Sequence, residues 1–173
     1  MTDRRNNSRY VGSLMVDEHP ALHLLDVENM LGGFVTPGLV AELWGSYREL
    51  APVLRGDHVI AGFCPATAPA GLFDLPSAVR KLVGGHGADS ADRVLIDSVD
   101  VRHVARRYER VIIGSGDARF APLAWTLRSL GVRVLYVDTK ASSVSWLLHR
   151  SCQGRVRVPA PAAVQIHRSA IAR

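Results

Sequence analysis

Two acidic residues stand where chemistry could be done. Asp26 closes the apolar run ALHLLD, residues 21 to 26, and Asp117 ends the turn Ser115-Gly116-Asp117 that follows a second apolar run, RVIIG. If these runs are adjacent strands, the two carboxylates lie close together, which is costly unless a cation or a shared proton offsets the repulsion. A cation is the economical solution. Carboxylate oxygens select Mg²⁺ or Mn²⁺, ions that keep part of their water shell and can bridge to a phosphate. Such an ion lowers the pKa of a bound water and stabilises charge developing on a phosphate under attack.

The elements that must position these acids can be read from hydrophobic spacing. ALHLLD suits a strand buried on both faces. After Pro37, a good first helical residue, Leu39, Val40, Leu43, Tyr47 and Leu50 recur at helical spacing, and Pro52 ends the pattern. DHVIAGFC, residues 57 to 64, reads as the second strand. The stretch 72–87 stays open between a short helix and a turn followed by a strand that ends at glycines. Asp89 can cap a helix through Ala91, Val94 and Leu95, and Asp100 a second through Val101, Val104, Ala105 and Tyr108, unless the two form one bent helix.

The clearest unit is strand, glycine turn and helix from Arg110 onward. Phe120, Leu123, Ala124 and Leu127 fall on one helical face, and Gly131 supplies the stop. VRVLYVD, residues 132 to 138, is the next strand. Ser142 or Ser143 then caps a helix carrying Val144, Trp146, Leu147 and Leu148, and RVRV forms a last short strand. Strands alternating with helices imply right-handed crossovers and an α/β fold: a Rossmann-like three-layer domain with a central, mainly parallel sheet flanked by helices. In such sheets sites lie beyond the carboxyl ends of strands, which selects Asp26, Asp117 and Asp138.

The totals are permissive. The chain has 173 residues, enough for one ordinary domain, with 47% hydrophobic and 21% charged residues. Lys and Arg exceed Asp and Glu by 21 to 16, a net charge of +5 that favours polyanionic partners without requiring them. Cys64 and Cys152 are too far apart in sequence, and too isolated, to suggest a zinc knuckle or a disulfide framework. A reducing, cytoplasmic setting fits. The uncharged stretch 59–73 is too short for a membrane span and contains Pro65 and Pro69. Residues 1–18 read as a polar leader of disordered composition, 19–158 as the folded domain, and 159–173 as a Pro/Ala-rich tail.

With these elements in place, the sequence resembles the NYN branch of the PIN-like nuclease superfamily over roughly residues 21 to 150. Three motifs carry the resemblance: LLDVEN with Asp26 and Asn29, GADSADRVL with Asp89 and Asp92, and IIGSGDARFAPLAWTLRSLGVRVLYV with Asp117. The resemblance implies a PIN-like fold and a divalent-metal-dependent endoribonuclease. Asp26 and Asp117 would be principal ligands of Mg²⁺ or Mn²⁺, with Asp89 or Asp92 supplying a further carboxylate. Asp26, Asn29, Asp92 and Asp117 would form the catalytic set, Asn29 orienting water or substrate, while Ser115 and Arg119 would touch the substrate. RNA is the implied partner, with DNA and a homo-oligomer left open and no membrane. Family members often carry a second acid two residues after the S-G-D aspartate, where this chain has Arg119. That departure keeps a rival reading alive: a non-catalytic RNA- or protein-binding domain with a degraded metal site.

Plainer roles exist for each residue. Asp26 could end a strand in a turn, Asp117 could cap a helix, and Asp89 and Asp92 could complement a helix dipole. Asp97, Asp100 and Asp138 read as caps or solvated acids. Glu28 has no assigned role, and His23 reads as a satisfied core residue. Arg102, Arg106, Arg107 and Arg110 read as a solvated basic face, with a phosphate-tracking role as the alternative, and Trp44, Trp125 and Trp146 as packing. Gly114 and Gly116 do not complete a dinucleotide fingerprint, no phosphate-loop motif is present, and Ser115 lacks a nucleophile-elbow context. A phosphatase using Asp26 would want a second Asp where Glu28 stands.

Overall fold

Six short strands form one parallel sheet because helical connections between them carry the chain back to the same end of the sheet. The structure, a computed structural model, describes residues 20–51, 53–87, 89–139 and 143–171. The strands are β1 (Ala21–Asp26), β2 (His58–Phe63), β3 (Arg80–Val83), β4 (Arg110–Gly114), β5 (Arg133–Thr139) and β6 (Gly154–Val158). Their spatial order is β3-β2-β1-β4-β5-β6, every pair parallel. The chain winds outward from β1 to β3 and then returns to the other side of β1. The carboxyl ends of β1 and β4 therefore border the point where the winding reverses, which is where open α/β sheets form their ligand crevices.

The helices are α1 (Val27–Met30), α2 (Leu39–Leu50), α3 (Ala68–Gly71), α4 (Ser90–Asp97), α5 (Val101–Arg107), α6 (Ala121–Ser129), α7 (Trp146–Ser151) and α8 (Ala162–Ile171). Alternation along the strands feeds two cores. Leu25, Ile112 and Val137 pack with α2 and α8 on one face; Leu24, Val111, Ile113 and Tyr136 pack with α4 to α7 on the other. β1 and β4 are buried throughout, as the apolar runs required. His23 is a satisfied core residue, its Nδ1 2.9 Å from the Tyr47 hydroxyl and its Nε2 3.4 Å from Asp57.

Several local expectations change. The open stretch 72–87 resolves as a 3₁₀ turn, Leu72–Asp74, followed by β3. The first long helix starts at Leu39 behind Gly38, whose φ of 85° suits glycine, so Pro37 precedes the helix instead of opening it. α4 and α5 are separate helices, and Asp100 caps the second by accepting from Arg102 N and His103 N. Ser145, rather than Ser143, caps α7, so Val144 lies ahead of the helix; Ser142 lies outside the described residues.

Other corrections concern burial. The segment read as a loose tail contains α8, which buries Val164 completely and stacks His167 on Phe34 at 4.1 Å between ring centroids. Asp138 is neither a cap nor solvated. It is wholly buried, and Arg155 and Arg157 from the next strand neutralise it at 2.7 and 3.1 Å. Arg110, assigned to a solvated face, is buried on β4. Trp125 and Trp146, assigned to packing, are 61% and 64% exposed, whereas Trp44 is partly buried against α2's core. The polar leader, 1–18, lies outside the described residues, as does Pro52. Among the described residues no helix is long and apolar enough to cross a membrane.

Candidate active site

Asp26 is the last residue of β1 and caps α1, so its carboxylate leaves the sheet at the crevice. Its Oδ1 accepts from Asn29 N at 3.2 Å and its Oδ2 from Ser115 Oγ at 3.1 Å. The Ser115 hydroxyl also accepts from Asp117 N at 3.1 Å, and the Asn29 side-chain oxygen accepts from Gly116 N at 2.8 Å. These bonds tie the LLDVEN and SGD motifs into one unit across adjacent strands. Gly116 is required sterically: a Cβ there would stand 2.3 Å from the Ser143 carbonyl oxygen. The close approach brings the segment before α7 against the turn, where Ser145 N donates to Gly116 O at 2.8 Å.

The crevice is a cavity of about 340 Å³ whose lining includes Asp26, Asn29, Asp89, Asp92, Asp117 and Ser143. Asp92 is buried on the first turn of α4, its Oδ1 accepting from Arg93 N at 2.8 Å. Asp117 accepts from Arg119 N at 2.8 Å and caps the 3₁₀ turn that leads into α6. Asp89 precedes α4 in a left-handed conformation, φ 62°, and makes no cap bond. Its carboxylate is engaged elsewhere: Arg119 Nη2 lies 2.5 Å away. The same guanidinium places Nη1 3.0 Å from Asp92 and 3.7 Å from Asp117. The hydrogen bonds it donates to Asp89 and to Asp92 hold its pKa above the ordinary arginine value.

Burial pushes the Asp26 carboxyl up to about 7, and the charges of Asp92 and Glu28 add to the rise, while the bonds from Asn29 and Ser115 oppose it. Seven of the sequence-selected residues thus meet in one place: Asp26, Asn29, Asp89, Asp92, Ser115, Asp117 and Arg119. Asp138 does not join them. Sequence reasoning also missed Glu28, whose Oε1 accepts from Cys64 N at 2.7 Å and from the Thr67 hydroxyl, fastening the loop after β2 to the crevice wall. Its position two residues after Asp26 is the only signal it gave.

The donor set is hard oxygen in kind, which suits Mg²⁺ or Mn²⁺. As arranged, however, no three His, Cys, Asp or Glu side chains among the described residues converge to hold one ion. Arg119 stands among the acids instead, acting as their internal counter-ion.

By sequence, the chain matches no family model and no curated protein. By structure, it is similar to a protein of unknown function from Vibrio parahaemolyticus, with a TM-score of 0.56 and 16% identity over 83% of this chain and 96% of that one. The likeness shows the fold alone, an all-parallel, Rossmann-like α/β domain.

Proposed function

We propose that the protein is a divalent-metal-dependent endoribonuclease of the PIN-like NYN type, hydrolysing RNA phosphodiesters at the Asp26–Asp92–Asp117 crevice. The observation that carries this reading is that three carboxylates from distant parts of the chain line one crevice at the switch point of a parallel sheet, one of them a desolvated Asp26 at about 7. A carboxyl raised by burial and like charge is one that a cation would return to its ionised form. Asp26, Asp92 and Asp117 would hold Mg²⁺ or Mn²⁺, with Asp89 at the rim. Once bound, the ion supplies an activated water and neutralises charge on the scissile phosphate.

The chain's own groups do the positioning. Ser115 and the Asn29 backbone fix both oxygens of Asp26, while the Asn29 side chain holds the Gly116 amide and with it the turn that presents Asp117. For three carboxylates to face one ion, Arg119 must leave Asp92 and Asp117, and its 48% exposure gives it solvent to move into. Released, it can meet a substrate phosphate.

Arg119 also favours a second reading, an RNA-binding domain that has replaced its cation with a guanidinium and does not cut. One assay separates them: single-stranded and structured RNA incubated with Mn²⁺, beside Asp26→Asn and Asp117→Asn. Metal-dependent cleavage lost in both variants supports the nuclease. Binding without cleavage in all three proteins supports the second reading.

A further inference from the structure

Tryptophan is the costliest residue to leave in water, since each indole carries about 150–250 Å² that could be buried. Yet α6 and α7 each hold one at the surface, Trp125 at 61% and Trp146 at 64% exposure. Each indole has an arginine four or fewer positions on that lies over its ring: Arg128 at 5.5 Å from the Trp125 centroid and Arg150 at 4.9 Å from that of Trp146. The two helices are also joined, because Arg128 Nη1 donates to the Arg150 and Ser151 carbonyls at 3.2 and 3.1 Å. Neither helix contains an acidic residue.

The basic character continues past α7. Arg155 lies over the Tyr136 ring at 5.8 Å, and the Tyr136 hydroxyl is 3.0 Å from His149 Nδ1 on α7. Arg155 and Arg157 share the single carboxylate of Asp138, so this edge keeps an excess of positive charge. The surface is also continuous with the crevice. Ser143 lines the crevice, Ser145 N is bonded to Gly116 O, and Trp146 is the first residue of α7.

We propose that the α6–α7 face is a binding platform for single-stranded RNA, with Trp125 and Trp146 stacking bases and Arg128, Arg150 and Arg155 drawing the backbone toward the crevice. Exposed rings interleaved with guanidiniums, on two helices without an acidic residue, are what a flexible, unstacked polyanion requires. A second copy of this chain is a poorer occupant, because the same arginines would meet their own kind across a symmetric contact. The inference rests on RNA being the substrate, but not on its being cut.

The test is fluorescence anisotropy with a labelled single-stranded oligouridylate of about twelve nucleotides, in chelator so that binding is read without cleavage. Trp125→Ala and Trp146→Ala should each weaken binding about tenfold, with a larger loss in the double variant. Trp146→Phe, which keeps a ring, should bind nearly as well as wild type. Intrinsic tryptophan fluorescence should be quenched by the oligonucleotide in wild type and not in the double variant. A double variant that binds within about twofold of wild type overturns the platform. So does a wild type that binds no oligouridylate, or a double variant whose only change is dissociation of a dimer in sedimentation. If wild type cuts RNA in Mn²⁺ while the double variant binds and cuts equally well, the platform falls and the nuclease stands. Tryptophan-dependent binding with no cleavage in Mn²⁺ upholds the platform and removes the nuclease.

Discussion

Arg119 Nη1 lies 3.0 Å from Oδ2 of Asp92, a side chain only 5% exposed. A buried carboxylate needs a partner, and this one has a guanidinium from the strand–helix turn across the crevice. The pair explains how a cluster of acids persists in the folded protein without an ion. It also sets a competition, since whatever cation enters must displace Arg119.

Replacing Arg119 with Ala should therefore act in opposite directions on two quantities. In chelator the melting temperature falls, because Asp92 loses its counter-charge. In titrations with Mn²⁺ the apparent affinity rises about tenfold, because the fraction of molecules with an open crevice no longer limits binding. Arg119→Asp should tighten Mn²⁺ further. Calorimetric titration reads the affinities, and an unchanged or weaker affinity in both variants would show that Arg119 does not guard the site.

Asp26 predicts a distinctive pH dependence in chelator. Its folded pKa, about 7, lies above the ordinary 3.8, so between these values the unfolded chain holds fewer protons and stability falls as pH rises, levelling off above pH 7. Asp26→Asn removes this penalty while keeping an oxygen for the Asn29 amide. The variant should exceed wild type by about 2–4 kcal/mol at pH 8 and converge with it near pH 4. Urea unfolding across this range checks it; a difference that does not vary with pH would contradict the assignment.

Ser115→Ala removes the hydroxyl that both donates to Asp26 and accepts from the Asp117 amide. The loss should cost about 1–3 kcal/mol, since a buried carboxylate oxygen and an amide both lose a partner. Mn²⁺-dependent cleavage should drop with little change in RNA affinity in chelator. Equal losses in cleavage and in chelator binding would instead mean that Ser115 contacts the substrate.

Gly116→Ala places a methyl against the Ser143 carbonyl, 2.3 Å from it before any relaxation. The strand–helix turn and the segment before α7 must separate, at about 1–3 kcal/mol. Cleavage should be lost although no carboxylate has been altered. Full activity in this variant would show that the crevice does not depend on that close approach.

The central part of the site was legible in sequence because strand-end acids are displayed by periodicity: Asp26 closes an apolar run, and Asp117 follows one directly. β1 and β4 are neighbours because the chain crosses back after β3, and the glycine turn marked the second of them. What stayed hidden depended on partners distant in the chain. Asp138 gave no hint of Arg155 and Arg157, nor Glu28 of Thr67, because the registers that join them exist only once the sheet forms. Trp125 lies off the apolar face of α6 and Trp146 opens α7, yet residue type alone suggested burial. PAPAA masked α8 because proline and alanine read as linker, whereas Val164, beyond them, is buried against the core.

Mn²⁺ binding followed by electron paramagnetic resonance tests the proposed Asp26–Asp92–Asp117 cation site without any assumption about RNA. One saturable site is expected in wild type, lost in Asp117→Asn and Asp92→Asn and strengthened in Arg119→Ala. Failure of wild type to bind Mn²⁺, or equal binding by wild type and all three variants, would contradict it.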